Sequence, residues 1–141
     1  MSNPSSTSSS FVLPIRIYYE DTDAAGIVYH ANYIKFAERC RTEWLRSLGY
    51  DHGSILKEFG IYFVIKHLTI DYKAPALLDN YLSVHTHLET MGHTSLTIHQ
   101  DIFRDETLIA DLKVVIVTVN LEGQPQRIPP QLRQIFSPQT L

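Results

Sequence analysis

The chain has 141 residues, enough for one domain that buries roughly 68–70% of its surface on folding. A formal net charge of −3 leaves no electrostatic footprint for nucleic acid, and no apolar run approaches the roughly eighteen residues of a membrane span. Cys40 is the only cysteine, which excludes an intrachain disulfide and makes a cytoplasmic setting the default.

In chain order, the opening MSNPSSTSSS is polar and lacks the basic and apolar regions of a signal peptide. Residues 1–12 are therefore expected to be a disordered tail, 13–137 a single domain and 138–141 a short C-terminal tail. Ile15 and Ile17 alternate within 14–19, which predicts a first strand. The acidic loop Glu20-Asp21-Thr22-Asp23 follows, and then Ala24, Ala25 and Gly26, small residues that let the backbone turn tightly. Asn32 has the chemistry of an N-cap for a helix beginning near Tyr33, and Gly49 that of the residue just past its end. Tyr33, Ala37, Cys40, Trp44 and Leu48 recur at helical steps, widened by Ile34, Phe36 and Leu45. Lys35, Glu38, Arg39, Glu43 and Arg46 occupy the other face, with Arg39–Glu43 at pairing distance. Cys40, on the apolar stripe, reads as a small core residue.

A short helical turn is expected at Ser54–Phe59, closed by Gly60. From Ile61 the pattern changes to period two and slips phase near Lys66–His67, which predicts a β-bulge inside one long strand. Pro75 and Asp79-Asn80 mark a turn. Leu82, Val84, Thr86 and Leu88 then face one way, with His85 and His87 opposite. Gly92 turns the chain into a strand carrying Leu96, Ile98 and Ile102. Leu108–Val119 forms a fifth, apolar on both faces from Val114 onward and hence central or covered. Leu132–Phe136 has the makings of a last short helix. With only one helix long enough to cross over, the fold class is α+β: an antiparallel sheet of about five strands wrapped around one helix. Such a sheet leaves edges to manage, and pairing with a second copy follows.

Asp23 is the residue best placed for chemistry, as a nucleophile or as a base on water, with the helix-start amides available to a developing oxyanion. Its bland alternative is a loop aspartate making an Asx-turn, the stronger reading on composition alone. His30, at the mouth of the helix, either orients Asp23, binds substrate, lends only its backbone N–H, or merely finishes the loop. Asp21-x-Asp23 fails the calcium-loop spacing, because positions five and twelve fall on Ala25 and Asn32. His85-x-His87 lacks further ligands for zinc, so two solvated histidines are expected there and no metal or cofactor is assigned. There is no phosphate-binding glycine loop and no Gly-x-Ser-x-Gly elbow.

The run from Tyr18 to Tyr33, YYEDTDAAGIVYHANY, resembles the signature of hotdog-fold acyl-CoA thioesterases. The resemblance is to the 4-hydroxybenzoyl-CoA thioesterase type, and most closely to its Tol–Pal-associated, YbgC-like branch. Phe36-x-Glu38-Arg39-x-Arg41-Thr42-Glu43-Trp44-Leu45-Arg46 continues it, and the segments Tyr72–Ala76, Gly92–Ser95 and Ile128-Pro129 resemble that branch too. The resemblance implies a hotdog fold, an acyl-CoA substrate, and a homodimer or homotetramer with active sites between subunits. It places the essential aspartate on Asp23 and an oxyanion-facing backbone N–H on His30. Substrate contacts fall on Tyr29, His93, Thr94 and Ser95. Some members meet CoA phosphates with basic residues near the turn before the fourth strand; here that turn, Met91–Thr94, has no Lys or Arg. The competing readings are a hydratase-type enzyme of the same fold, and a non-catalytic module that binds an acyl-carrier protein or acts at the cell envelope.

Overall fold

The structure is a computed structural model and describes residues 10–137. The expected tails at 1–9 and 138–141 lie outside the described residues. Five antiparallel strands form one sheet in the order β1-β3-β4-β5-β2. They are β1 (Phe11–Arg16), β2 (Tyr62–Tyr72), β3 (Tyr81–Met91), β4 (Ser95–Arg104) and β5 (Thr107–Val119). Three helices accompany them: α1 (Asn32–Ser47), α2 (His52–Phe59) and α3 (Pro130–Phe136). Among the described residues, no helix is long and apolar enough to cross a membrane.

The first strand lies three residues earlier than its expected span, and it takes Phe11 and Val12 out of the expected tail. Its register on β3, from Phe11 opposite Thr86 to Arg16 opposite Tyr81, explains the shift. Tyr18 and Tyr19 do not extend it, because the Asp21 carboxylate accepts the Tyr18 N–H (2.8 Å) and curls Tyr19–Asp21 into a 3₁₀ turn.

The long helix runs as its stripe predicts, with Tyr33, Phe36, Ala37, Cys40 and Leu45 buried. Its C-terminus is a Schellman cap: Gly49 N–H bonds the Arg46 carbonyl (2.9 Å) and Tyr50 N–H the Leu45 carbonyl (3.2 Å). Gly49 reaches φ 96 there, a conformation that favours glycine. The N-terminus departs from expectation. Ala31 holds the cap position with no side-chain hydrogen bond, and Asn32 is already helical. The Asn32 amide instead donates to the Asp21 carbonyl (3.0 Å), tying the acidic loop to the helix. Arg39 does not pair with Glu43 either. It lies over the Phe36 ring (5.8 Å), while Glu43 pairs with Arg46 (2.7 Å).

Helix α2 begins two residues before its expected start, because Asp51 caps it by accepting the Ser54 N–H (2.7 Å). The slip in β2 is a bulge: pairing with β5 shifts between Ile65 and His67. β5 lies between β4 and β2, in keeping with its doubly apolar run. A buried polar chain locks α1 to the sheet. Gln100, fully buried, donates to the Ala37 carbonyl (2.9 Å) and to Thr86 (2.7 Å), and accepts from Arg41 (2.9 Å). Thr86 in turn reaches the Cys40 sulfur (3.0 Å). Burial raises the Cys40 thiol above its usual pKa, consistent with a packing role.

Helix α1 packs chiefly on β3 and β1, so the far side of the sheet is covered less well. Ile65 and Val64 on β2 stay 47% and 38% exposed. Beside them a cavity of about 130 Å³ opens between α1 and the sheet, lined in part by Arg41, Trp44, Phe63, Ile65, Ile98 and Ile116. An apolar surface of this kind on an open sheet edge is one a monomer seldom leaves bare.

Candidate active site

The loop before α1 is a small hairpin closed by the Thr22–Val28 bridge. Asp23 N–H donates to the Ile27 carbonyl (2.9 Å) and Gly26 N–H to the Asp23 carbonyl (2.9 Å). Gly26 sits at φ 83 in open space, the left-handed corner that lets so short a loop close. Val28 N–H bonds the Ala76 carbonyl (2.9 Å) and Ile27 bridges Leu77, which fasten the loop to the segment before β3.

Asp23 is exposed, and its Oδ1 accepts the Ala25 N–H (2.9 Å). That is the Asx-turn of the bland reading, and it also aims the carboxylate. Oδ2 has no protein donor among the described residues. A few residues on, the His30 N–H has no partner among the described residues either, and no side chain caps the helix that starts beside it. An exposed carboxylate and the His30 N–H beside the positive end of α1 thus share one loop. The His30 ring tilts against Tyr29 (4.6 Å between centroids), and both are exposed.

Two residues outside the expected site join it. Tyr72, at the end of β2, donates its hydroxyl to the His30 carbonyl (2.9 Å) and presents its ring to those of His30 and Tyr33. Tyr33 in turn accepts the Ala76 N–H (3.1 Å). Burial pushes both phenols above their usual pKa, so they remain neutral at physiological pH. An open cavity of about 310 Å³ lies here, walled by Val28, His30, Tyr33, Tyr72, Lys73 and Pro75 among others. Period two alone assigns Tyr72 to a strand; only its position as the strand's last residue hints that it reaches the loop. Tyr72→Phe keeps the ring and removes one hydrogen bond of about 1 kcal/mol. A fall in kcat of about threefold to tenfold is expected, with KM little changed, as steady-state kinetics would show.

His93, Thr94 and Ser95 do not meet Asp23 within one chain. The Asp23 loop rests on the segment leading into β3, whereas the His93 turn follows β3, whose 11 residues span about 30 Å. Around that turn the His93 carbonyl accepts the Ile128 N–H (2.8 Å) and the Gly92 carbonyl accepts from Arg133. A cavity of about 280 Å³ there is lined by His93, Arg127, Ile128, Pro129, Pro130 and Arg133. Arg127 and Arg133 of the C-terminal segment thus stand beside a turn that has no Lys or Arg of its own, a juxtaposition that local sequence does not reveal. His85 and His87 are half-buried rather than solvated: His85 packs edge-on against Phe103 (5.1 Å) and His87 lies against His99 (5.3 Å).

Residues 18–136 match the family model described as the thioesterase-like superfamily. The chain is 42% identical over 121 residues to the Escherichia coli acyl-CoA thioester hydrolase YbgC, covering 84% of this chain and 90% of that one. It is 37% identical over 129 residues to the Haemophilus influenzae acyl-CoA thioesterase YbgC, covering 91% and 95%. The chain belongs to the thioesterase-like superfamily, in its YbgC branch. A probable thioesterase from Bartonella henselae superposes with a TM-score of 0.83 at 33% identity, over 86% of this chain and all of that one. A 4-hydroxybenzoyl-CoA thioesterase superposes at 0.85 with 19% identity, over 91% and 99%, a likeness of fold alone. The sheet curled around α1 is thus the hotdog fold. Within this superfamily fold, the Asp23 loop, the α1 start and Tyr72 stand together at one end, and the Arg127–Arg133 segment at the other.

Proposed function

We propose that this chain hydrolyses an acyl-CoA thioester to a free carboxylic acid and CoA, with Asp23 as the reacting or proton-accepting group. The observation that carries this reading is one short loop that holds both an exposed carboxylate and a His30 N–H with no partner among the described residues. A thioester suits such equipment, since its carbonyl is electrophilic and its thiolate leaves readily. In direct attack, an Asp23 oxygen bonds the acyl carbon, the C–S bond breaks, and CoA leaves as a thiolate that takes up a proton. Water then cleaves the mixed anhydride and restores Asp23. In the alternative, Asp23 accepts a proton from water, the hydroxide bonds the acyl carbon, and that proton passes to the departing thiolate. In both routes the His30 N–H and the α1 dipole stabilise the oxyanion.

The active unit is a homodimer, or a homotetramer built from it, in which one subunit offers Asp23 and its partner the His93 turn. The separation of about 30 Å along an 11-residue strand and the bare surface around Ile65 support this arrangement. Tyr29 borders the acyl group, and His93, Thr94 and Ser95 border the CoA end. Arg127 and Arg133 flank that turn and suit its phosphates. Arg127→Ala is expected to raise KM about twofold to fivefold with kcat unchanged, less so in high salt, when acyl-CoA hydrolysis is followed across ionic strengths. CoA as substrate and a lone buried cysteine fit the cytoplasm, where an acyl-carrier protein is a second source of thioester.

Single-turnover hydrolysis in ¹⁸O-water tests the reading. Direct attack, with hydrolysis at the aspartyl carbon, places label in Asp23; general-base catalysis places it in the product acid. An intact thioester bearing added water would instead mark a hydratase, and bound but unreacted acyl-CoA a binding module.

A further inference from the structure

The outer face of the sheet, opposite α1, carries a group of side chains that thioester hydrolysis does not use. His99 and Asp101 alternate on β4 with the buried Ile98, Gln100 and Ile102, so they share the outward face. Asp111 lies directly across from Asp101 on β5, and His87 directly across from His99 on β3. His99 Nε2 is 2.6 Å from Asp111 Oδ1 and 3.3 Å from Asp101 Oδ1. One donor atom from each of the three residues falls within a mutual separation of 4.8 Å. All three are about two-thirds buried, with side-chain exposures of 31%, 29% and 33%.

We propose that His99, Asp101 and Asp111, completed by His87, bind a borderline divalent metal ion of the Zn²⁺ type, outside the reaction centre. Donor type, strand placement with the spacing it sets, and charge lead there. The donors are imidazole nitrogen and carboxylate oxygen, the set that suits zinc and its neighbours rather than calcium or magnesium. They stand on β3, β4 and β5, the three central strands of the sheet. A tetrahedral ion with bonds of ~2.0–2.1 Å keeps its donors about 3.3 Å apart. The His99–Asp101 spacing already meets that figure, and the His99–Asp111 contact needs to open by less than an ångström. The ion takes the place of the hydrogen bond between His99 Nε2 and Asp111 Oδ1.

The third feature is charge. Asp101, Asp111 and Asp71 lie opposite one another across β4, β5 and β2. Like charges at directly opposed positions destabilise a sheet. Lys113 is engaged by Glu89 (3.5 Å), which leaves the Lys73 charge acting on Asp111 against two facing carboxylates. A divalent cation on the outer side of Asp101 and Asp111 offsets that repulsion and links three strands.

The test uses the full-length protein, stripped with EDTA, desalted and titrated with ZnCl₂ in a calorimeter, with metal content measured after dialysis. One zinc per chain is expected, together with a rise in Tm that grows with zinc concentration. His99→Gln and Asp111→Asn should each weaken binding at least ~10-fold and remove the rise in Tm. Asp101→Asn supplies a third variant, and circular dichroism confirms that each is folded. Co²⁺ in place of zinc should give the visible absorption of a tetrahedral site in the parent only. Thioester hydrolysis should be the same before and after stripping. No zinc uptake by the parent, or equal affinity in the parent and all three variants, overturns the proposal; loss of turnover on stripping overturns its placement outside the reaction.

Discussion

Asp23→Asn is expected to lower kcat for acyl-CoA hydrolysis by at least ~10²-fold, the lower end of what a general base contributes. The fold should persist. Asn is nearly isosteric, its side-chain oxygen can still accept the Ala25 N–H, and the Asp23 backbone bonds to Ile27 and Gly26 do not involve the side chain. What is lost is the negative charge, and with it both an anionic nucleophile and a base. KM should change far less, because the charge acts mainly as the transition state forms. His30→Ala provides the contrast. Its backbone N–H and the Tyr72 bond to its carbonyl survive the change, so only the ring contacts to Tyr29 and Tyr72 disappear. A larger loss at His30 than at Asp23 would exchange their roles. Unchanged melting curves for both variants, together with the kcat ratio, make the comparison clean.

Ile65→Glu should separate the subunits and silence the enzyme without unfolding it. The residue is 47% exposed in the single chain, so a glutamate there can remain in water. Buried in a dry contact between copies, the same carboxylate would cost several kcal/mol. Light scattering should report a monomer where the parent is a dimer or tetramer, and turnover should fall to the level of Asp23→Asn. The separation of Asp23 from the His93 turn is the reason. In the proposed dimer, the partner's copy of that turn closes the second end of the CoA thioester. Full activity in a monomeric variant would place the whole site within one subunit.

How much of this was legible in the sequence depends on the range of the interaction involved. The α1 stripe, the Gly49 cap, the slip at Lys66 and the strand alternation are local patterns, and the structure follows them closely. Boundaries moved where a side chain made a choice that periodicity does not encode. Asp21 curls Tyr19 out of the first strand, Asp51 starts α2 early, and Asn32 bonds the Asp21 carbonyl instead of capping its own helix. At the site, the Asp23–His30 loop is contiguous and was readable as a unit. Tyr72 and Arg127 were not, because 42 residues separate Tyr72 from His30 and the C-terminal segment reaches the His93 turn only through tertiary packing. The His99–Asp101–Asp111 group is illegible for the same reason, since Asp111 and His87 come beside it only through strand pairing.

Thiol release across a panel of acyl-CoAs, short and long, straight-chain and aromatic, tests the central claim most directly. At least one member is expected to yield free CoA and free acid in equal amounts, and Asp23→Asn to slow this release at least ~10²-fold while still binding the same acyl-CoA. A panel on which the parent binds but never releases thiol, or on which Asp23→Asn keeps pace with it, would contradict the account.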